Sequence, residues 1–388
     1  MKAIIRYIAV LFCVYQFSIT AAARPVVSVL TCSPGEQVYS LFGHTALRYR
    51  NDSRGVDLVF NYGVFDFDAP NFVWRFVLGE TDYILAVERF ENFRMQYDIR
   101  GSGVTEQILN IDSLCAEKLF NALLYNSLEQ NRVYRYNYFF NNCTTKARDI
   151  VFANLGDSVR YVSPSSMHAM TFRQIVHNFT EGYPWYTFGI DLLLGAASDE
   201  ISGHHAQFAP FVLLHDLSSA YTVPGNRPLV TNQGDILLSQ ERVHARNNLT
   251  PFNVSLLLLL FTFVIMLCER RSKKSYWGWD ILLMFLQGVA GCVIMFMILF
   301  SQHPTVDENY LVILLNPLPL IMLPILIYSL VKHRTPVVMY LQVAMVLLFL
   351  LSAPIVGQSY PAPIYICALA LLVRSWFHLN KNKICALD

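Results

Sequence analysis

The pattern of apolar and polar positions changes near residue 250. Beyond it, five apolar stretches dominate, at 252–268, 277–300, 310–331, 336–356 and 361–373. Each approaches the roughly 20 residues that a helix needs to cross hydrocarbon. Upstream, the pattern is that of a folded domain. Runs at 26–30, 45–49 and 58–62 are short, rich in branched and aromatic residues, and separated by turn material such as Asn51-Asp52-Ser53-Arg54-Gly55, which predicts strands. Leu114, Leu119, Leu123 and Leu124 recur on one face and predict a helix over 113–128. A second helix is expected from Cys143 to about Leu155, stopping at Gly156. Residues 24–250 therefore predict one α+β domain, and 251–388 an all-α transmembrane domain of five helices.

The connectors orient the spans. Glu269-Arg270-Arg271-Ser272-Lys273-Lys274 follows the first, Lys332-His333-Arg334 the third, and Arg374, Lys381 and Lys383 close the fifth. The alternate loops carry Asp307 and Glu308, or Gly357-Gln358-Ser359-Tyr360, without Lys or Arg. By the positive-inside rule, the basic loops and the C-terminus face the cytoplasm. Residues 1–23 start Met1-Lys2-Ala3, continue through an apolar run and end Ala21-Ala22-Ala23, the plan of a signal peptide cleaved near Ala23. An uncleaved signal anchor is the alternative. Either way the α+β domain is expected outside the cytoplasm. Pro317, Pro319 and Pro324 imply kinks in the third span, and Asp280, near an end, is the charge seen within a span.

Composition agrees with this division. The hydrophobic share is 54% and the mean hydropathy +0.37, both above the globular norm. The net charge of +1, with no long basic stripe, argues against a nucleic-acid partner.

The candidate chemistry lies in the N-terminal domain. Cys143 stands in Asn141-Asn142-Cys143-Thr144-Thr145 at the start of a predicted helix. There, unpaired N–H groups and the positive end of the helix dipole stabilise a thiolate and can hold an oxyanion. His44, in Phe42-Gly43-His44-Thr45-Ala46-Leu47-Arg48, is a candidate base, so the two suggest a Cys-His pair for acyl chemistry. A buried free thiol and a hydrogen-bonded core imidazole remain the plain alternative. Asn61 is a candidate orienter of the imidazole, or a strand asparagine capping a turn. Arg48, four residues beyond His44 on the same strand face, could meet a lipid phosphate or simply be solvated. Tyr138 and its aromatic neighbours could line an acyl groove or belong to the core, and Asn142 is a further candidate for substrate contact. Of the 8 cysteines, Cys32, Cys115 and Cys143 fall in this domain; a Cys32–Cys115 bridge and three free thiols are both acceptable. Asp191, Asp199, Glu200, His204, His205 and His215 match no strong zinc spacing, so no metal is expected.

These residues carry a resemblance. The order His44, Asn61, Cys143 is similar to that of the circularly permuted branch of papain-like enzymes, which includes lecithin:retinol acyltransferases and relatives of cell-wall endopeptidases. More closely, the chain resembles the Lnb-type lipoprotein N-acyltransferases of Gram-negative bacteria. The matching segments are Leu30-Thr31-Cys32-Ser33-Pro34-Gly35, Leu41-Phe42-Gly43-His44-Thr45-Ala46-Leu47-Arg48, Phe60-Asn61-Tyr62-Gly63-Val64-Phe65-Asp66-Phe67, Tyr136-Asn137-Tyr138-Phe139-Phe140-Asn141-Asn142-Cys143-Thr144-Thr145-Lys146-Ala147-Arg148-Asp149 and Trp185-Tyr186-Thr187-Phe188-Gly189-Ile190-Asp191-Leu192-Leu193-Leu194-Gly195.

The resemblance implies a permuted papain-like domain in the periplasm, anchored in the inner membrane. It also implies transfer of a fatty acyl chain from a membrane phospholipid to the α-amino group of a diacylated lipoprotein cysteine, without a cofactor. Cys143 would be the nucleophile, His44 the base and Asn61 its orienter. Two other readings are a membrane-tethered cysteine hydrolase of cell-wall peptides, for which five spans are excessive, and a non-enzymatic membrane scaffold, which leaves the Cys143 and His44 motifs unexplained.

Overall fold

The computed structural model describes residues 24–65, 70–156, 158–223, 225–240, 249–332, 334 and 336–384, with side chains as far as residue 380. The expected signal peptide and the side chains of Lys381 and Lys383 lie outside the described residues. The three predicted strands form and extend slightly: β1 (Val26–Cys32), β2 (His44–Asn51) and β3 (Val56–Val64). After them come α1 (Phe72–Leu78), β4 (Asp82–Arg89), α2 (Phe90–Ile99), β5 (Val104–Leu109), α3 (Ser113–Ser127), β6 (Val133–Arg135) and α4 (Cys143–Leu155). The domain ends with β7 (Ser158–Tyr161), α5 (Phe172–Thr180), α6 (Pro184–Leu193), α7 (Pro210–Ser218), β8 (Ala220–Val223) and β9 (Val230–Leu237). One antiparallel sheet has the order β6-β4-β3-β2-β1-β5-β9, and β7 pairs with β8 separately.

Strand alternation divides the domain core into two layers. On one face Val27, Val29, Leu47, Tyr49 and Phe60 pack against Leu119 and Leu123 of α3 and Ala147 and Val151 of α4. On the other, Leu30, Cys32, Ala46 and Val59 pack against Phe93 and Tyr97 of α2. The sheet therefore lies between helices, and the expected α+β class holds.

The five apolar stretches are all helical, but not as five equal spans. The long helices α8 (Pro251–Ser272) and α9 (Gly278–Phe300), and the 362–380 part of the last helix, are long and apolar enough to cross a membrane. The expected third span is broken: residues 310–321, whose end is α10 (Leu318–Ile321), meet α11 (Leu323–Val331) at a 58° bend. Counting that pair as one gives four helices or helix pairs long and apolar enough to span among the described residues. The expected fourth span contains α12 (Val338–Ser352), only 15 residues long, and the fifth is α13 (Ala362–Ile384). The break goes with its prolines: Pro317 caps α10, and Pro319 and Pro324 occupy the first turns of α10 and α11, where a missing N–H costs nothing, so each starts a helix and does not continue one. Ahead of α10, Gln287 Nε2 of α9 donates to the Leu314 carbonyl at 2.8 Å, and Gln342 Nε2 donates to Gln287 Oε1 at 2.9 Å. Gly291 permits the close approach, since a Cβ there would lie 2.2 Å from the Asn316 carbonyl carbon.

One part of the hydropathy reading needs correction. Glu269 and Arg374 were placed in connectors, yet the helices continue past their apolar runs and carry both residues inside. Arg374 Nε and Nη2 lie 2.6 and 2.7 Å from the Asp280 carboxylate, and Nη2 and Nη1 lie 2.9 and 3.1 Å from that of Glu269. All three side chains are buried, joining α8, α9 and α13. A buried ion pair is weak support for stability when intact, but removing one partner leaves an uncompensated charge. Arg374→Met is therefore expected to destabilise the bundle by roughly 3–5 kcal/mol. The triple variant Arg374→Met, Glu269→Gln, Asp280→Asn should recover much of that loss, as read by thermal unfolding in detergent.

Candidate active site

The thiol is placed by a helix cap. Asn142 precedes α4 in extended conformation, and its Oδ1 accepts from the N–H groups of Thr144 (2.9 Å) and Thr145 (3.0 Å). The Thr145 hydroxyl accepts from the Asn142 N–H at 2.8 Å, completing a capping box. The other end of the amide donates to the carbonyls of Tyr138 and Phe208, each at 2.9 Å. The Thr45 and Thr144 hydroxyls, 3.1 Å apart, tie the first turn of α4 to β2. Cys143 is thereby held at the first helical position, beside the end of the sheet.

Cys143, His44 and Asn61, far apart in sequence, come together here. His44 opens β2, and its Nε2 lies 2.6 Å from Asn61 Oδ1 on β3. With Nε2 so engaged, Nδ1 is the ring nitrogen left to serve the Cys143 thiol, to which the imidazole is electrostatically coupled. Asn61 Oδ1 can only accept, so it fixes the Nε2–H tautomer and the ring plane.

The electrostatics follow from this line of three groups. Burial acts to raise the pKa of Cys143, but the His44 cation and hydrogen bond, the Thr45 N–H and the Thr144 hydroxyl outweigh it and bring the thiol down to about 7. Burial likewise opposes the His44 charge, yet the Cys143 thiolate and the Asn61 carbonyl raise its pKa above the ordinary imidazole value. The two shifts are mutual, each ion stabilising the other, so both favour a thiolate–imidazolium pair. The N–H groups of Thr144 and Thr145 serve the cap, which leaves the Cys143 N–H as the first-turn donor available to a developing oxyanion.

Two expected substrate contacts are corrected. Arg48 does share a strand face with His44, but it lies roughly 13 Å further along β2 at about 3.3 Å per residue. Its guanidinium is buried in ion pairs with Asp57 (2.7 Å) and Glu106 (3.1 Å), 3.4 Å from the centre of the Phe90 ring. Asn142 is a structural cap whose amide is fully engaged. Tyr138 is half-buried and packs edge-on against Phe42 at 5.1 Å, and its carbonyl receives the Asn142 amide. No disulfide joins Cys32 and Cys115: the first lies in the α2-side core beside Tyr97, and the second donates toward the Asn154 carbonyl. Among the other polar candidates, Asp191 and Asp199 both pair with the buried Arg173. Among the described residues no three His, Cys, Asp or Glu side chains are grouped to hold a metal ion.

Gly63 and Tyr134 were missed in the sequence. Gly63 has φ +88°, and a Cβ on it would lie 3.2 Å from Cys143 Cβ and 3.8 Å from both His44 Cε1 and Tyr134 Oη. The glycine thus makes room for the thiol, and the tyrosine closes the site. Only the family-like context of Tyr62-Gly63-Val64 hinted at this. A cleft of about 440 Å³ opens nearby between Pro34, Leu41, Phe179 and Tyr183, but none of Cys143, His44 or Asn61 lines it.

Fold and site together define a membrane protein whose extramembrane α+β domain carries an activated thiol beside a histidine. Residues 15–178 match the model of the Lnb N-terminal periplasmic domain, and residues 243–383 match that of the Lnb transmembrane domain. The chain belongs to the Lnb family, with its N-terminal domain in the periplasm. Neither the curated proteins nor the solved structures gave a match.

The pairing has a pH signature. Below pH 7 the thiol increasingly keeps its proton, and above it Cys143 ionises. Iodoacetamide alkylation of Cys143 is therefore expected to rise with a midpoint near 7. His44→Ala removes the cation and leaves burial opposed only by the Thr45 N–H and the Thr144 hydroxyl, so the midpoint should move up by a unit or more, by mass spectrometry, on the order expected for a lost nearby charge.

Proposed function

We propose that this protein is a lipoprotein N-acyltransferase that moves a fatty acyl chain from membrane phospholipid to the α-amino group of a diacylglyceryl-cysteine. The observation that carries this reading is the Cys143–His44–Asn61 line, set at a helix N-terminus in a domain bolted to a membrane bundle. The order His, Asn, Cys along the chain is that of the circularly permuted papain-like enzymes, which supports the same chemistry.

The chemistry runs in two steps. The Cys143 thiolate attacks the phospholipid ester carbonyl, and the Cys143 N–H steadies the tetrahedral oxyanion. As the C–O bond breaks, His44 gives its proton to the leaving lysophospholipid, and a thioester remains on Cys143. The lipoprotein amine then attacks that thioester while neutral His44 accepts its proton. Breaking of the C–S bond releases the amide and restores the thiolate. Asn61 keeps the imidazole in the tautomer and plane that serve both steps.

The membrane placement in this reading is the inner membrane, with the basic connectors and C-terminus in the cytoplasm. Five crossings require the bent pair to act as one span. They also require the short α12 to cross with its flanks, because 15 helical residues cover only about 22 Å of a roughly 30 Å core.

Cys143→Ser and His44→Ala are each expected to lower transfer by roughly a hundredfold or more, with insertion and folding retained. The readout is mass spectrometry of lipoprotein N-terminal peptides, where the third acyl chain should disappear. With phospholipid and no acceptor, the intact protein should gain one acyl chain on Cys143, removable by hydroxylamine. Wild-type transfer in either variant would sink the assignment. A changed set of cell-wall peptides with intact lipoproteins would favour the hydrolase instead.

A further inference from the structure

We propose that α1 is an interfacial helix that engages the acyl chains of the donor phospholipid and brings them to the thiol, an inference that rests on the acyl-transfer reading. The helix reads Phe72-Val73-Trp74-Arg75-Phe76-Val77-Leu78, and six of its seven residues are apolar. Val73 is 74% exposed, Trp74 55% and Phe76 43%. An apolar patch of this kind on a domain in water marks a surface that something else covers.

The occupant is indicated by where α1 is fastened. The last carbonyls of a helix lack intrahelical donors. Here those of Phe76, Val77 and Leu78 accept from His303 Nε2 (2.6 Å), Ser301 Oγ (2.8 Å) and the Gln302 N–H (2.8 Å). Those three donors are the residues that directly follow α9. Gly79 closes α1 at φ +71°, with no room for a Cβ, which would lie 2.8 Å from the His303 nitrogen. The Trp74 ring packs 5.1 Å from that of Phe296, within α9. The last turn of α9 exposes Leu299 and Phe300 at 63% and 60%. The exposed face of α1 therefore continues the lipid-facing side of a membrane span. A short apolar helix at that level, with a tryptophan on its exposed face, lies at the boundary of hydrocarbon and headgroups.

The inner side of α1 leads to the site. Phe72 stacks on Phe65 at 5.6 Å, Phe65 packs on Tyr83 at 4.8 Å, and Tyr83 stacks on Tyr136 at 4.1 Å. Tyr83 pairs across the sheet with Tyr134, whose hydroxyl borders Gly63 and hence Cys143. An aromatic series thus runs from the end of a membrane span to the nucleophile. An ester carbonyl drawn along it reaches Cys143 while its chain stays against apolar surface.

The test uses the full chain in nanodiscs of phosphatidylethanolamine and phosphatidylglycerol. Subtracting the fluorescence of Trp74→Phe from that of wild type isolates Trp74. Acyl-brominated phospholipid should quench that difference and iodide in solution should not; the reverse pattern overturns the proposal. In the double variant Val73→Asp, Trp74→Asp, acyl loading of Cys143 from bilayer phospholipid should fall about tenfold or more. Loading equal to wild type in the double variant also overturns the proposal. Iodoacetamide alkylation of Cys143 reports whether the double variant is folded, and if it is not, the quenching result decides. Wild-type protein that never loads an acyl chain counts against the acyl-transfer reading, and quenching still reports separately on α1.

Discussion

The Asn142 amide is the constraint on which the site depends. Its oxygen holds two first-turn N–H groups of α4, and its nitrogen holds the carbonyls of Tyr138 and Phe208. An N-cap of this kind is ordinarily worth about 1 kcal/mol to a helix. Here its larger consequence is geometric, because a helix start free to fray would lose the aim of Cys143. The cap also decides which N–H remains for substrate: by taking those of Thr144 and Thr145, it leaves the one on Cys143 itself. Aspartate would keep the acceptor but lose both donor bonds, so a carboxylate could not replace the amide without stranding two carbonyls.

The junction of domain and bundle serves the proposed chemistry for a reason of solvent. Each CH₂ exposed to water costs roughly 0.8 kcal/mol, so a long acyl chain cannot travel through water to a detached domain. The domain is held to the membrane segment at two places in addition to the chain connection. One is the capped end of α1. The other lies past α6, where the N–H groups of Gly195 and Ala196 donate to the carbonyls of Thr305 and Glu308, and Gln358 Nε2 donates to the Leu194 carbonyl. In both, the named contacts engage backbone groups of the domain, so they fix its orientation without depending on its own long side chains. Gly195 has no space for a Cβ, which would meet the Glu308 backbone at 2.7 Å.

What the sequence revealed depended on how local the signal was. β1, β2 and β3 are bounded by turn residues and buried, and α3 and α4 carry their own caps, so their positions could be read within a window of a few residues. Cys143 and His44 were legible because each sits in a distinctive local motif. Arg48 was misread because strand parity gives the face but not the partners: Asp57 and Glu106 reach it only through the register of the sheet. Glu269 and Arg374 were misread because hydropathy treats a charge as a boundary, whereas two charges on different helices can enter together by pairing. The 58° break was foreshadowed by three prolines, but the glutamines that hold the stretch ahead of α10 were not, since their partners lie elsewhere in the bundle.

An irregularity in the sheet completes the site. The β3–β4 register shifts between Asn61 and Val64, and Gly63 falls inside the shift with a positive φ. Such bulges bend a strand and re-aim its side chains, and they are frequent beside active sites. Upstream of it, Asn61 meets the imidazole of His44; within it, the missing side chain of Gly63 leaves the volume that Cys143 occupies. Any larger residue there would need both a left-handed backbone and space already taken by the nucleophile, so strain and clash act in the same direction. The bulge and the cap thus divide the work: the sheet places the imidazole and its orienting amide, the helix places the thiol, and the glycine lets the two surfaces come within hydrogen-bonding reach.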